Sequence, residues 1–78
     1  MKTMTCRQLG GPCDNAYHVG TADLAIKAQD AHLKEMVEKG DAAHVEAAAA
    51  MKARWHNPIK GMGWYMQAKK DFAALPKD

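Results

Sequence analysis

The pattern of polar and apolar positions divides the chain into two parts near Gly20. Before it, the segments KTMTCRQL and NAYHVG are short, contain threonine and aromatic residues, and flank the turn Gly10-Gly11-Pro12. This pattern predicts a small β-hairpin with a six-residue connection. After Gly20, apolar residues recur at helical spacing. We therefore expect an N-terminal hairpin followed by helices.

Residues that favour helix ends divide the second part into three helices. Thr21 and Asp41 are suitable N-caps, Gly40 is a suitable C-terminal stop, and Asn57-Pro58 is typical of a helix start. The predicted elements of a single domain, 1–78, are a cysteine-containing hairpin at 1–20 and helices at 21–39, 41–55 and 58–75. The predicted class is α+β, with the hairpin packed on a helical hairpin and a third C-terminal helix completing the core.

The composition predicts a thin core for a chain of 78 residues. The hydrophobic content is 47%, but 15 of these residues are alanine, which buries little surface per residue. Aromatic residues, leucines and six methionines must supply most of the core, and methionine fills gaps without fixing a unique packing. A bound metal or a partner chain would add stability to such a small domain.

Two histidines are placed on inward faces by helical periodicity. His32 lies at the edge of the apolar arc of the first helix, which comprises Ala25, Ile26, Gln29, Leu33, Met36 and Val37. His44 shares a stripe with Ala48, Met51 and Trp55 in the second helix. If Gly40-Asp41 closes an antiparallel helical hairpin, His44 lies one turn from His32. Taken alone, a histidine on an apolar helix face is usually a hydrogen-bonded structural residue rather than a metal ligand.

The two cysteines, Cys6 and Cys13, add thiol ligands to these imidazoles. Zinc commonly takes two cysteines from a hairpin and two histidines from a helix, so Cys6, Cys13, His32 and His44 are the candidate metal ligands. The spacings C-x6-C and H-x11-H are longer than those of usual zinc motifs. His18 is an alternative fourth ligand, although a solvent-facing strand position is expected for it.

The stretch MTCRQLGGPCD, with Thr21 and His32 eleven residues apart, resembles the start of a prokaryotic family known as domain of unknown function 1059. Members of that family are often labelled small metal-binding proteins. The resemblance implies that Cys6, Cys13 and His32 bind metal, while a second helix histidine of the family corresponds to Val37 here. Longer members carry a helical extension similar to residues 32–55, in which a histidine matches His44.

Other function classes are disfavoured by the sequence. The net charge is +2 and the charges alternate in sign, so neither nucleic acid nor a membrane is an expected partner. No signal-peptide core or membrane-spanning run is present, which makes a cytoplasmic location the expectation. No nucleophilic triad, phosphate loop or dinucleotide fingerprint occurs, so the chain is not expected to be an enzyme.

The predicted function is a small metal-binding accessory protein with a structural zinc ion. The alternative is a metal-free helical interaction module, because the alanine face at 47–50 and the apolar third helix favour a homodimer or an unknown protein partner. A thiol redox protein using Cys6 and Cys13 is a further alternative, although C-x6-C lacks the C-x-x-C arrangement that activates a thiol.

Overall fold

A computed structural model describes residues 1–78 and shows a two-stranded hairpin followed by three helices. The predicted α+β class, with a cysteine-containing hairpin at the N-terminus, is confirmed. The elements are β1 (Lys2–Thr5), a short 3₁₀ turn (Arg7–Leu9), β2 (Ala16–Val19), α1 (Ala22–Glu38), α2 (Ala42–His56) and α3 (Pro58–Ala74). The strands are antiparallel, and Met4 lies opposite Tyr17. None of the helices combines the length and apolar content needed to cross a bilayer.

Side-chain caps begin all three helices, as the sequence predicts. The side chain of Thr21 accepts a hydrogen bond from the backbone of Leu24 at the start of α1. Asp41 and Asn57 cap α2 and α3 in the same way. Gly40 adopts the left-handed conformation, with φ of 79°, which reverses the chain between α1 and α2. These local signals place the start of α2 beside the end of α1.

The connection of the hairpin differs from the prediction. It comprises residues 6–15 rather than six residues, because β1 ends at Thr5 and the chain turns into the 3₁₀ segment at Arg7. Gly10 closes that segment with φ of 95°, and the turn directs Leu9 into the core. Both cysteines therefore lie in the connection and outside the paired strands.

The core lies where the hairpin packs against α1 and α3. Its buried members are Met4, Cys6, Leu9, Tyr17, Ala22, Ala25, Ile26, Ala68 and Phe72. Helical periodicity predicts Trp55 in the inward stripe of α2, and this prediction is wrong because its side chain is 52% exposed. Its ring packs edge-to-face against Trp64 of α3, and this contact draws it to the end of the helical hairpin. Leu24 and Val37 are likewise more exposed than their apolar character predicts.

Candidate metal centre

Four residues with metal-binding side chains converge beneath the hairpin. Cys6 follows β1, Cys13 lies in the hairpin connection, His32 is in the middle of α1, and His44 is in the first turn of α2. Their ligand atoms all lie within 4.8 Å of one another. The structure thus brings together all four residues that the sequence nominates, although they are separated by up to 38 positions along the chain.

The half-exposed edge of this cluster is formed by Cys13 and His32. The sulfur of Cys13 lies 3.3 Å from Nε2 of His32. The rings of His32 and His44 are 5.0 Å apart between centroids and nearly perpendicular, at 83°. Perpendicular rings direct nitrogen atoms toward a shared point more readily than stacked rings do. The edge of Tyr17 packs against His32 on the side of the hairpin.

The inner edge is formed by Cys6 and His44, which are both buried. Neither ring nitrogen of His44 has a hydrogen-bond partner within the protein. Oδ1 of Asp41 lies 3.0 Å from Nδ1 of His44, but off the direction of the ring N–H. The same oxygen accepts the backbone N–H of His44 at 3.0 Å, as the helix cap. A buried imidazole without full hydrogen bonding is costly, and a metal ion would satisfy it.

The pKa values of His32 and His44 are shifted in opposite directions. Burial, with the neighbouring His44, lowers the pKa of His32 below its ordinary value of 6.5. The Asp41 carboxylate, followed by Cys13, raises the pKa of His44 above 6.5. Protonated His44 therefore stabilises the metal-free fold at acid pH, and this contribution is lost as the pH rises through its raised pKa. His32 is partly buried as the neutral imidazole, which is compatible with the folded state at a pH above its unfolded-state pKa. This stability is lost as the pH falls through the lowered pKa of the folded state.

The separations within the cluster are compatible with a site for one metal ion. Zinc–sulfur bonds of about 2.3 Å and zinc–nitrogen bonds of about 2.0 Å place neighbouring ligand atoms roughly 3.3–3.8 Å apart. The 3.3 Å between the sulfur of Cys13 and Nε2 of His32 already meets this requirement. No two ligand atoms are more than 4.8 Å apart, so each pair must approach by at most about 1–1.5 Å when a metal binds.

The remaining histidines lie elsewhere. His18 projects from the outer face of β2, where its Nδ1 is 2.6 Å from the carboxylate of Asp78 and its side chain is 57% exposed. It therefore does not take the place of His44. His56 is exposed at the end of α2. Val37, which stands where the resemblance implies a second helix histidine, lines a groove between α1 and α2 instead.

Two residues that support the cluster were not nominated from the sequence. Asp41 was predicted as a helix cap, and its contact with the imidazole of His44 follows from the i, i+3 spacing of the two residues. Gln29 was grouped with the apolar arc of α1, yet its side-chain amide donates to the sulfur of Cys6 at 3.3 Å. A polar residue on a buried arc, three positions before a candidate ligand, is the signal that identifies it.

Comparison of the chain with protein-family models, with curated proteins and with solved structures finds no match.

Proposed function

We propose that the chain binds one zinc ion through Cys6, Cys13, His32 and His44, and that the ion has a structural role. The observation that carries the proposal is the convergence of four ligand atoms, from three separate parts of the fold, within 4.8 Å. Two thiols with two imidazoles are a donor set that zinc prefers. The unsatisfied nitrogens of buried His44 support the same assignment.

A site with four protein ligands favours a structural role over a catalytic one, because catalytic zinc retains an open position for water or substrate. The ion would tie the hairpin connection to α1 and α2, which are otherwise joined by few large side chains. Two thiolates balance the charge of the ion. In this proposal the protein is not an enzyme, and the cytoplasm is the compartment that keeps both thiols reduced.

The test is zinc stoichiometry by mass spectrometry of the natively purified protein, followed by affinity measurement against a competing chelator. His44→Gln keeps much of the side-chain volume and removes imidazole coordination. We expect it to weaken zinc binding by orders of magnitude, since a tetrahedral site loses one ligand. His56→Gln makes the same chemical change at an exposed position and serves as the matched control. Equal zinc affinity in the two variants would contradict the proposal.

The alternative function is a metal-free interaction module, and the apolar surface favours it. Ile59 is 86% exposed and Met62 is 61% exposed on α3, and Trp55 lies at one end of an apolar groove of about 610 Å³ between α1 and α2. A self-associating chain would sediment at about twice the 8.5 kDa monomer mass. A zinc-free protein that dimerises would support this alternative, and reversible oxidation of both thiols would support a redox role instead.

A further inference from the structure

Gln29 is wholly inaccessible to solvent in the core beneath the hairpin. Its Nε2 donates toward two acceptors of the same residue, the sulfur of Cys6 at 3.3 Å and the carbonyl oxygen of Cys6 at 3.4 Å. Its Oε1 accepts a hydrogen bond from the hydroxyl of Tyr17. Both ends of the amide are therefore used, and one end contacts a candidate metal ligand.

The space around this contact is fully occupied. A methyl group added at Gly11 would overlap the sulfur of Cys6 and would lie 2.8 Å from Nε2 of Gln29. The carbonyl of Cys6 also accepts the backbone N–H groups of Leu9 and Gly11. The sulfur of Cys6 is thus fixed by its own backbone on one side and by the Gln29 amide on the other.

The two sulfurs of the cluster have different surroundings. No amide N–H donates to the sulfur of Cys13, whose polar contact is Nε2 of His32. Gln29 and His32 are three positions apart on α1, so the same face of one helix presents an amide to Cys6 and an imidazole to Cys13. A leucine at position 29 would fit an apolar core without the desolvation cost of an amide. The cost of burying the amide is offset by its three polar contacts, and the sulfur of Cys6 is the one that belongs to a candidate metal ligand.

We infer that Gln29 is a positioning residue that orients the Cys6 thiolate and withdraws charge from it when the metal is bound. The inference rests on the proposed zinc site. Partners in the outer shell fix the orientation of metal ligands, and N–H bonds to sulfur tune the electronic properties of metal–thiolate centres. The hydroxyl of Tyr17 satisfies Oε1 at the other end of the same amide. Cys13, without such a donor, is the thiolate that adjusts.

The test uses the full-length chain loaded with Co²⁺ in place of zinc, because cobalt–thiolate charge-transfer absorption reports the electron density on sulfur. Tyr17→Phe removes the hydroxyl but keeps the amide donor of Gln29. Tyr17→Phe/Gln29→Leu removes the hydroxyl and the amide together, so that neither is left buried without its partner. Comparison of the two variants separates the effect of the N–H donor on the sulfur from a general loss of stability.

We expect the band of Tyr17→Phe to coincide with that of the unmodified protein. The double variant should absorb at lower energy and bind cobalt about tenfold more weakly or worse. Coincident bands in all three proteins would overturn the role of Gln29 while leaving the metal site intact. Failure of the unmodified protein to bind cobalt would overturn the proposed function and this inference with it.

A second measurement needs no variant. With ¹¹³Cd bound, an N–H···S–Cd hydrogen bond transmits a scalar coupling between the metal nucleus and the donor proton. A coupling to the side-chain amide of Gln29 would support the inference. Its absence in a spectrum that shows the Cys6 side chain coupled to ¹¹³Cd would contradict it.

Discussion

At the scale of single residues, Gly11 is the most constrained position of the candidate site. It lacks a side chain where a Cβ would overlap the sulfur of Cys6. We expect Gly11→Ala to displace either that sulfur or the amide of Gln29, which costs about 1–3 kcal/mol of stability by overpacking and weakens zinc binding. Thermal unfolding and chelator competition measure the two effects.

Gly20 provides the matched control for this substitution. No atom lies within 4 Å of a Cβ added there, and its φ lies outside the left-handed region. Gly20→Ala should leave zinc affinity unchanged. If Gly11→Ala and Gly20→Ala bind zinc equally well, the close packing around Cys6 has no bearing on the site.

The contact between Asp41 and His44 should make zinc affinity depend on pH. The carboxylate raises the pKa of His44 above 6.5, and a metal ligand must be deprotonated. Protons therefore compete with the metal for His44 at a higher pH than for an ordinary histidine. His32, whose pKa is lowered by burial, is protonated only at a lower pH. Zinc affinity should fall as the pH drops from about 8 to about 6.

Asp41→Asn isolates the contribution of the carboxylate to this pH dependence. Asparagine is as good an N-cap as aspartate, so α2 keeps its start while the charge beside His44 is lost. We expect weaker zinc binding at about pH 8, because the negative charge 3.0 Å from Nδ1 of His44 is removed. The decline toward about pH 6 should be shallower, since the pKa of His44 returns toward its ordinary value. Parallel affinity curves for the two proteins would show that Asp41 does not control His44.

The sequence predicts those parts of the site that depend on interactions between residues close together in the chain. Caps such as Thr21 and Asp41 act within one helical turn, so the sequence identifies them directly. His32 and His44 follow from helical periodicity together with the turn at Gly40. The hairpin connection follows no period, because the 3₁₀ turn and the positive φ of Gly10 set its course. For this reason the sequence singles out Gln29 as a polar residue on a buried arc but does not place Cys6 against it.

At the scale of secondary-structure elements, the junction of α2 and α3 depends on one glycine. Gly61 and Gly63 have low helix propensity, yet α3 is continuous from Pro58. A Cβ at Gly61 would overlap the carbonyl oxygen of Arg54. Gly61 therefore allows α3 to lie against the end of α2, where the guanidinium of Arg54 stacks over Trp64 at 4.5 Å.

Substitution of Gly61 and of Gly63 by alanine should change the free energy of unfolding in opposite directions. Gly61→Ala forces α3 away from the carbonyl of Arg54, and we expect a loss of about 1–3 kcal/mol. Gly63 has no neighbour within 4 Å of an added Cβ, so Gly63→Ala should stabilise α3 by about 0.5–1 kcal/mol through helix propensity. Urea unfolding of both variants gives the comparison. Stabilisation by both substitutions would exclude a steric role for Gly61.

At the scale of the whole molecule, the candidate site occupies the position where a larger protein would have hydrophobic core. Met4, Cys6, Leu9 and Gln29 are the largest side chains that are fully buried, and all four lie in or beside the hairpin connection. Only 14 of 78 residues are buried, so apolar burial alone leaves a small margin of stability. Trp55 is half-exposed for the same reason, since the helices around it enclose little interior.

Removal of the metal should therefore lower the stability of the entire fold. Zinc bound at about 1,000 times its dissociation constant stabilises the folded state by about 4 kcal/mol, which in a chain of this size corresponds to a rise of roughly 15–30 °C in the melting temperature. We expect the zinc-loaded protein to melt higher than the chelator-treated protein by about this amount. Cys13→Ser should melt at the lower temperature with or without added zinc, because the ion that joins the hairpin connection to α1 and α2 loses a ligand. Identical melting of the loaded and chelator-treated proteins would show that the four side chains converge without a structural metal, and that the packing of Met4 and Leu9 is sufficient to hold the hairpin on its helices.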